Sequence, residues 1–126
     1  MSDVTLYETV GGMAFFERLV DVFYDGVEAD AVLLGLYPDP TDLGPARRRF
    51  ALFLAQYWGG PTRYNDERGH PRLRMRHGPF AIDPDARDRW LTCIRHAVDV
   101  CAPPVDAAVL LLDYFEMAAE AMRNRD

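Results

Sequence analysis

Residues 56–77 have the sequence QYWGGPTRYNDERGHPRLRMRH and interrupt an otherwise helical pattern. An aromatic helix end meets Gly59, Gly60 and Pro61, and residues 59–70 show neither helical nor strand periodicity. A short apolar and basic segment then leads to His77. A loop of this length in a small domain is usually functional or disordered. The sequence therefore predicts a break between helices at this point. We interpret the break as a segment that holds one histidine toward a large apolar ligand with negative charge at its rim.

Upstream of this stretch, the sequence predicts two helices. Thr5 and Glu8 have the spacing of a capping box, so a short helix begins there and the glycine pair at 11–12 ends it. Apolar residues recur at helical spacing over residues 13–29, which predicts a longer second helix. Tyr24 has the same spacing, so we expect its hydroxyl to enter the interior. The predicted inner face consists of Phe16, Leu19, Val20, Phe23 and Val27.

A turn and another long helix are predicted next. Asp30 suits the cap of a short turn over residues 31–37, because its side chain accepts backbone N–H groups. Pro45 suits the first turn of the following helix, and Gly59 and Gly60 end that helix. Its predicted inner face consists of Ala46, Phe50, Phe53, Leu54 and Tyr57.

Two further helices are predicted downstream. Asp83 and Pro84 combine a capping residue with proline at the first helical position, and a proline pair at 103–104 ends this helix. The last helix is predicted over residues 105–122. The inner faces consist of Trp90, Ile94, Ala97 and Cys101 on the first helix, and Val109, Leu112, Phe115, Ala119 and Met122 on the second. No segment has the period of a strand, so the predicted fold class is all-α.

The composition is typical of one soluble globular domain over residues 1–126, with 49% hydrophobic and 27% charged residues. The net charge of −6 argues against a general nucleic-acid binder, because phosphate contacts need basic surface. No apolar run approaches the ~18 residues of a membrane span, and the N-terminus lacks the pattern of a signal peptide. We therefore expect a cytoplasmic protein with no nucleic-acid or membrane partner.

Cys93 and Cys101 lie eight residues apart on one predicted helix. Two helical turns separate them by roughly 12 Å, which is too far for a disulfide between them. We expect free thiols, as in a reducing cytoplasm.

His77 is the leading candidate for a metal ligand. It follows Leu73 by four residues on the apolar side of a short turn. A neutral imidazole can supply the proximal bond to haem iron. A histidine with this spacing is, however, more often a core residue that is hydrogen-bonded to a backbone carbonyl. His70 and His96 are expected to face solvent. The three histidines lack the spacing of a zinc site.

Arginines cluster around the same loop and turn. Such a cluster is usually a solvated face, but guanidinium groups also match carboxylates with paired N–H donors. Binding of haem propionates is therefore the functional alternative. The cluster consists of Arg63, Arg68, Arg72, Arg74 and Arg76.

Tyr24, Tyr37 and Trp90 are aromatic side chains with polar tips that are predicted to face inward. Each needs a hydrogen-bond partner when buried, and a backbone carbonyl is the more common one. Three of them around one cavity would instead indicate a ligand-binding site.

These features together resemble group II of the truncated haemoglobins. The resemblance covers about residues 6–122 and is most specific over YWGGP at 57–61 and GHPRLRMRH at 69–77. It also includes Gly11 and Gly12, Phe23 and Tyr24, Tyr37 and Pro38, Trp90, and DYFEMAA at 113–119.

The resemblance implies a two-over-two helical sandwich around a pocket for haem b. His77 would be the proximal iron ligand. Tyr24, Tyr37 and Trp90 would form a distal hydrogen-bonding cage, with Ala46 and Phe50 also on the distal side. The implied haem contacts are Arg49, Phe53, Leu54, Tyr64, Met75, Arg76 and Phe80, with Arg49, Tyr64 and Arg76 at the propionates.

Two features depart from the family's pattern. Phe50 stands where leucine is common, and its greater bulk would narrow the ligand cavity. The loop over residues 38–42 is one residue longer than usual, which would affect the position of Tyr37.

Three functions remain open at this point. The first is reversible binding of O₂, with NO and CO as further ligands, for storage, scavenging or sensing. The second is a haem redox enzyme, either a peroxidase or a detoxifier of NO or peroxynitrite. An electron-donating reductase is an expected partner. The third is a helical interaction domain without a cofactor. Both a monomer and a homodimer are compatible with the sequence.

Overall fold

The structure is a computed structural model that describes residues 4–70, 72 and 82–125. Within these ranges the regular structure is entirely helical, which confirms the all-α class. The helices are α1 (Leu6–Val10), α2 (Met13–Glu28), α3 (Ala31–Leu34), α4 (Gly44–Tyr57), α5 (Arg63–Arg68), α6 (Pro84–Cys101) and α7 (Val105–Met122).

The predicted capping residues begin three of these helices. Side-chain oxygens of Thr5, Asp30 and Asp83 accept backbone N–H groups from the first turns of α1, α3 and α6, at 3.2, 3.0 and 2.8 Å. Each bond provides a partner for an N–H group that the helix itself leaves unpaired. These starts are confirmed, because capping depends on residues close together in the chain.

The glycine pair after α4 lies directly against α1. A Cβ atom at Gly60 would lie 2.6 Å from Tyr7 Cδ2, and one at Gly59 would lie 2.7 Å from Thr5 Cγ2. Gly59 also has a φ of 100°, which side chains rarely permit. The backbone N–H of Tyr7 donates to the carbonyl of Trp58 at 3.0 Å. The pair is therefore required for the close approach of α1 to the end of α4.

The long helices pack as a two-over-two sandwich, as expected. α2 packs against both α4 and α6, and α7 packs against α6. Burial of apolar side chains between these helices is the main stabilising contribution. The largest fully buried side chains are Phe16, Phe23, Phe115, Leu19, Leu54, Ile94, Leu111, Val20 and Val27.

Three predictions about individual segments were wrong. Residues 63–68 form α5, within a stretch expected to lack a helix. Tyr57 and Val109, expected to face inward, are 49% and 53% exposed. Tyr57 instead packs its ring against Tyr114, with centroids 4.2 Å apart. On α7 it is Leu111 that is fully buried.

The segment after α7 is hydrogen-bonded to Ile82, which lies two residues before the start of α6. The backbone N–H of Ile82 donates to Asn124 Oδ1 at 2.8 Å. The N–H groups of Asn124 and Arg125 both donate to the Ile82 carbonyl, at 2.9 and 3.1 Å. Residues 82, 124 and 125 are referred to below as the clasp.

Both cysteines are free and half-buried on α6, and burial raises the pKa of each thiol. The protonated thiol is the poorly reactive form. None of the helices in the described part of the chain is long and apolar enough to cross a membrane.

Candidate functional site

A cavity of about 480 Å³ lies between α2, α4, α6 and α7. This volume is within the range of ligand-binding pockets, roughly 300–1,000 Å³. Its lining is mainly apolar and aromatic. The lining residues are Tyr24, Leu33, Leu36, Tyr37, Pro38, Ala46, Arg49, Phe50, Phe53, Tyr64, Arg68, Ile82, Ala86, Arg87, Trp90, Tyr114, Phe115, Ala118, Ala119 and Met122.

The structure brings Tyr24, Tyr37 and Trp90 to this one cavity. The rings of Tyr24 and Tyr37 are 5.6 Å apart between centroids. The ring of Phe50 lies 6.2 Å from that of Tyr24 and 6.2 Å from that of Trp90. The three polar-tipped aromatics therefore come from three segments of the chain. Tyr24 and Trp90 both contact the ring of Phe50, and Tyr37 packs against Tyr24.

Local packing fixes these side chains. Phe23, next to Tyr24 on α2, makes edge-to-face contacts with three rings. Its ring centroid lies 4.9, 5.5 and 5.2 Å from those of Tyr24, Phe50 and Trp90. Edge-to-face contacts of this kind stabilise aromatic pairs beyond the area that they bury. Phe23 thus gives Tyr24 and Trp90 a shared aromatic support on the α2 side.

An ion pair holds α3 against α6 close to the cage. Arg89 Nη1 lies 3.2 Å from Asp30 Oδ1, and Asp30 also caps α3. Arg89 directly precedes Trp90, and α3 leads to Tyr37. This contact therefore joins the start of α3 to the turn of α6 that carries Trp90.

The polar groups of the cage are neutral hydrogen-bond donors. Burial raises the pKa of Tyr24 and raises that of Tyr37 well above its usual value. The Tyr37 hydroxyl and the nearby Arg49 and Arg47 guanidinium groups partly offset the rise at Tyr24. The indole N–H of Trp90 has no hydrogen-bond partner among the described residues. Donors are therefore available to a polar ligand in the cavity.

Positive charge lies along other parts of the lining, at Arg49, Arg68 and Arg87. Arg87 pairs with Glu120 and, at 3.1 Å, with Asp88. Tyr64 is buried on α5 and contacts Phe53, with centroids 5.6 Å apart. The apolar lining with cationic groups suits an apolar ligand that carries carboxylates.

Among the predicted site residues that the structure describes, Leu54 does not line the cavity. Leu54 is fully buried in the core and is not part of the lining, unlike its neighbour Phe53. His70 and His96 are exposed and lie away from it, as expected. His77, Met75, Arg76 and Phe80 lie outside the described residues, as does Arg74.

Other lining residues were not predicted as site residues from the sequence. On α7 these include Phe115, Ala119 and Met122, which were assigned to an inner face but not to a site. Ala86 and Arg87 on α6 were also missed. Ala86 lies four residues before Trp90, so helical spacing alone places both on one face.

Comparison with known proteins gives consistent matches over nearly the whole chain. A family model described as bacterial-like globin matches residues 5–124. Group 2 truncated hemoglobin YjbI of Bacillus subtilis is 37% identical over 119 residues, covering 94% of this chain and 88% of that protein.

Two solved structures show the same fold. A thermostable hemoglobin from the actinobacterium Thermobifida fusca is 55% identical, with a TM-score of 0.93, covering 96% of this chain and 98% of that chain. The group II truncated hemoglobin from Bacillus anthracis is 36% identical, with a TM-score of 0.93, covering 99% of this chain and 95% of that chain.

Proposed function

Because the chain belongs to the bacterial-like globin family, among the group II truncated haemoglobins, we propose that it binds haem b and takes up O₂ reversibly at five-coordinate iron. Haem as the cofactor follows from the family. The observation that carries the proposal is the meeting of Tyr24, Tyr37 and Trp90 at one apolar cavity. NO and CO are further ligands of the same site.

The residues that line the cavity fit a haem group. The rings of Phe53 and Phe115 supply apolar contact for a flat macrocycle. Arg49 and Tyr64 supply donors for its propionates. In this proposal His77 would bind the iron and Arg76 would hold a propionate; both residues lie outside the described ranges.

When bound, haem supplies an iron centre at which a diatomic ligand binds. The chain's own contribution is the set of donors around that ligand. The Trp90 N–H and a tyrosine hydroxyl would donate hydrogen bonds to a diatomic ligand in the cavity. A hydrogen bond to a charged acceptor contributes about 1.5–3 kcal/mol, so each donor slows dissociation on the order of 10- to 100-fold.

The described lining gives less support to the redox alternative, a peroxidase or an enzyme that detoxifies NO or peroxynitrite. Among the described lining residues there is no histidine or carboxylate that could move a proton to or from peroxide. The raised pKa values of Tyr24 and Tyr37 keep both hydroxyls protonated, so neither serves as a base. Reversible O₂ binding requires ferrous iron, so an electron-donating reductase is a further proposed partner.

An absorption spectrum of the purified protein tests the proposal. The protein is reduced with dithionite and then exposed to air, with His77→Ala as the control for the axial ligand. We expect a Soret band that shifts with oxygen and persists, and a changed axial spectrum in the control. Immediate passage to the ferric spectrum would favour the redox enzyme. A protein without a Soret band, even after added hemin, would contradict both haem functions.

A further inference from the structure

Arg47 of α4 reaches across to α2 and joins three of its carboxylates. Its Nη1 donates to the carbonyl and to Oδ1 of Asp21, at 3.0 and 3.2 Å. Its Nη2 donates to Asp25 Oδ1 at 3.2 Å and to Glu28 Oε1 at 2.8 Å. The Arg47 side chain is only 21% exposed, whereas the three carboxylates are 53–72% exposed. Its guanidinium group is therefore a fixed cation between two helices.

The same guanidinium lies against the ring of Tyr24. Its Cζ atom is 5.6 Å from the ring centroid, within the range of a cation–π contact. Asp21 and Glu28 are three residues before and four residues after Tyr24 on α2, so all three lie on one face. The rings of Phe23 and Tyr37 also pack against the Tyr24 ring, with centroids 4.9 and 5.6 Å from its own. Tyr24 is thus held between an aromatic cluster and a cation.

We propose that Arg47 is a positioning residue, which holds Tyr24 in the orientation from which its hydroxyl donates to the diatomic ligand. This inference rests on the proposed function and adds a residue to it that the sequence did not indicate. Arg47 is not part of the cavity lining, although its neighbour Ala46 is. Its effect on the ligand is therefore transmitted through the ring of Tyr24.

The contact made by Arg47 differs from an ordinary surface ion pair because Arg47 has several partners. An isolated exposed pair contributes little, because ordering two long side chains offsets the attraction. Here one side chain is ordered by a carbonyl and three carboxylates together, so its planar group is already fixed beside the ring. Burial raises the pKa of Tyr24, and the hydrogen bond with Tyr37 and the positive charges of Arg49 and Arg47 partly oppose that rise.

Arg48 provides a matched control. It is the next residue on α4, and it forms a two-bond pair with Glu67 at 2.6 and 2.9 Å. Its side chain is 53% exposed. Arg48→Gln therefore removes one positive charge and one ion pair from the same helix. Arg48 is not part of the cavity lining, and its ion pair is with Glu67 on α5 rather than with α2.

The experiment measures O₂ dissociation and the infrared C–O stretch of the CO complex in the haem-loaded protein. For Arg47→Gln we expect dissociation to be faster by about fivefold, the size of one cation–π contact. We also expect a C–O stretch at higher wavenumber, which reports a weakened donor. For Arg48→Gln we expect both values to equal those of the wild type. Equal values in the Arg47→Gln and Arg48→Gln proteins would overturn the inference.

A double-mutant cycle with Tyr24→Phe separates positioning from general loosening of the fold. In the Tyr24→Phe background, we expect Arg47→Gln to have no further effect on dissociation. A full effect in that background would show that Arg47 does not act through Tyr24. If Tyr24→Phe alone leaves dissociation unchanged, the donor role of Tyr24 in the proposed function fails, and this inference fails with it. If only Arg47→Gln is without effect, the proposed function stands and the inference fails.

Glu28→Gln tests the same contact should Arg47→Gln not fold. This change removes the closest carboxylate from an exposed position and leaves the guanidinium in place. We expect a smaller rise in dissociation, of about twofold, in the same direction. An unchanged rate and an unchanged C–O stretch would count against the inference.

Discussion

The wall of the cavity formed by α2, α6 and the segment after α3 carries hydrogen-bond donors, whereas much of the wall formed by α7 is apolar. The donor wall consists of Tyr24, Tyr37 and Trp90, and the apolar wall consists of Phe115, Ala118, Ala119 and Met122. Tyr114 on α7 also reaches the lining, and burial raises its pKa to about 12. The difference separates two tasks. We expect the donor wall to determine ligand dissociation and the apolar wall to contribute mainly to stability.

The largest effect is expected at Phe115 in the apolar wall. It is 1% exposed and contacts the rings of Trp90 and Phe50. Phe115→Ala should lower the free energy of unfolding by about 3–5 kcal/mol, because it removes a buried ring and leaves a cavity. Urea denaturation measures this loss. A change in O₂ dissociation larger than that of Trp90→Phe would contradict the separation of the two walls.

Trp90→Phe tests the donor wall. This change keeps an aromatic ring but removes the N–H, so O₂ dissociation should accelerate on the order of 10- to 100-fold, measured by stopped flow. Trp58→Phe is the matched control. Its indole N–H is buried without a partner among the described residues, and Trp58 does not line the cavity. Equal dissociation rates for the wild type and Trp90→Phe would refute the role of Trp90.

Asp30 lies behind the donor wall, where it caps α3 and pairs with Arg89. Asp30→Ala should lower the free energy of unfolding by about 1 kcal/mol, because the cap is lost. Asp30→Asn should cost less, since asparagine also caps helices. Unfolding of both variants in urea measures this difference, and equal losses would contradict the capping role.

The contribution of Asp30 should also depend on pH. Although burial raises its pKa, hydrogen bonds from Leu33 N–H and Arg89 lower it on balance. Because the pKa of Asp30 is lower in the folded than in the unfolded state, its ionised carboxylate stabilises the fold at a pH above the pKa in the unfolded state, about 3.9. This contribution is lost as the pH falls through the pKa in the folded state. As the pH is lowered, the free energy of unfolding should therefore fall more steeply in the wild type than in Asp30→Asn.

The smallest effect is expected on the outer face of α7. Val109 is 53% exposed, so Val109→Thr should change the free energy of unfolding by less than about 0.5 kcal/mol. Thermal unfolding of the two proteins at equal concentration measures it. A larger, concentration-dependent loss would show that a second copy of the chain covers this face.

The starts of α1, α3 and α6 were predictable from the sequence because each depends on one capping residue and its immediate neighbours. α5 was not predictable in this way. Its sequence, RYNDER, contains one apolar residue, Tyr64, so it has no hydrophobic periodicity. It is a helix because of its packing against α4.

The wrong assignments of Tyr57 and Val109 have a related cause. α7 is apolar on more than one face, and Val105, Val109, Leu110 and Met117 are all exposed. Periodicity therefore does not distinguish its buried face from its outer face. Tyr57 lies at the last position of α4, where the core no longer continues.

At the site, the spacing of Tyr24 and Trp90 predicted that both face inward, and both line the cavity. Their role as donors to a ligand stays a prediction. The sequence did not indicate Arg47, whose partners on α2 lie 19 to 26 residues away in the chain. Nor did it separate Phe53, which lines the cavity, from the neighbouring Leu54, which does not. Contacts between distant segments decide both cases, and a pattern within one helix does not contain them.

The clasp has a consequence for the order of events during synthesis. Ile82 belongs to the cavity lining, and its partner Asn124 follows 42 residues later. Translation proceeds from the N-terminus, so Ile82 leaves the ribosome well before Asn124 does. All of α7 must be made before the clasp forms. The nascent chain therefore completes this side of the cavity only after α7 has been made.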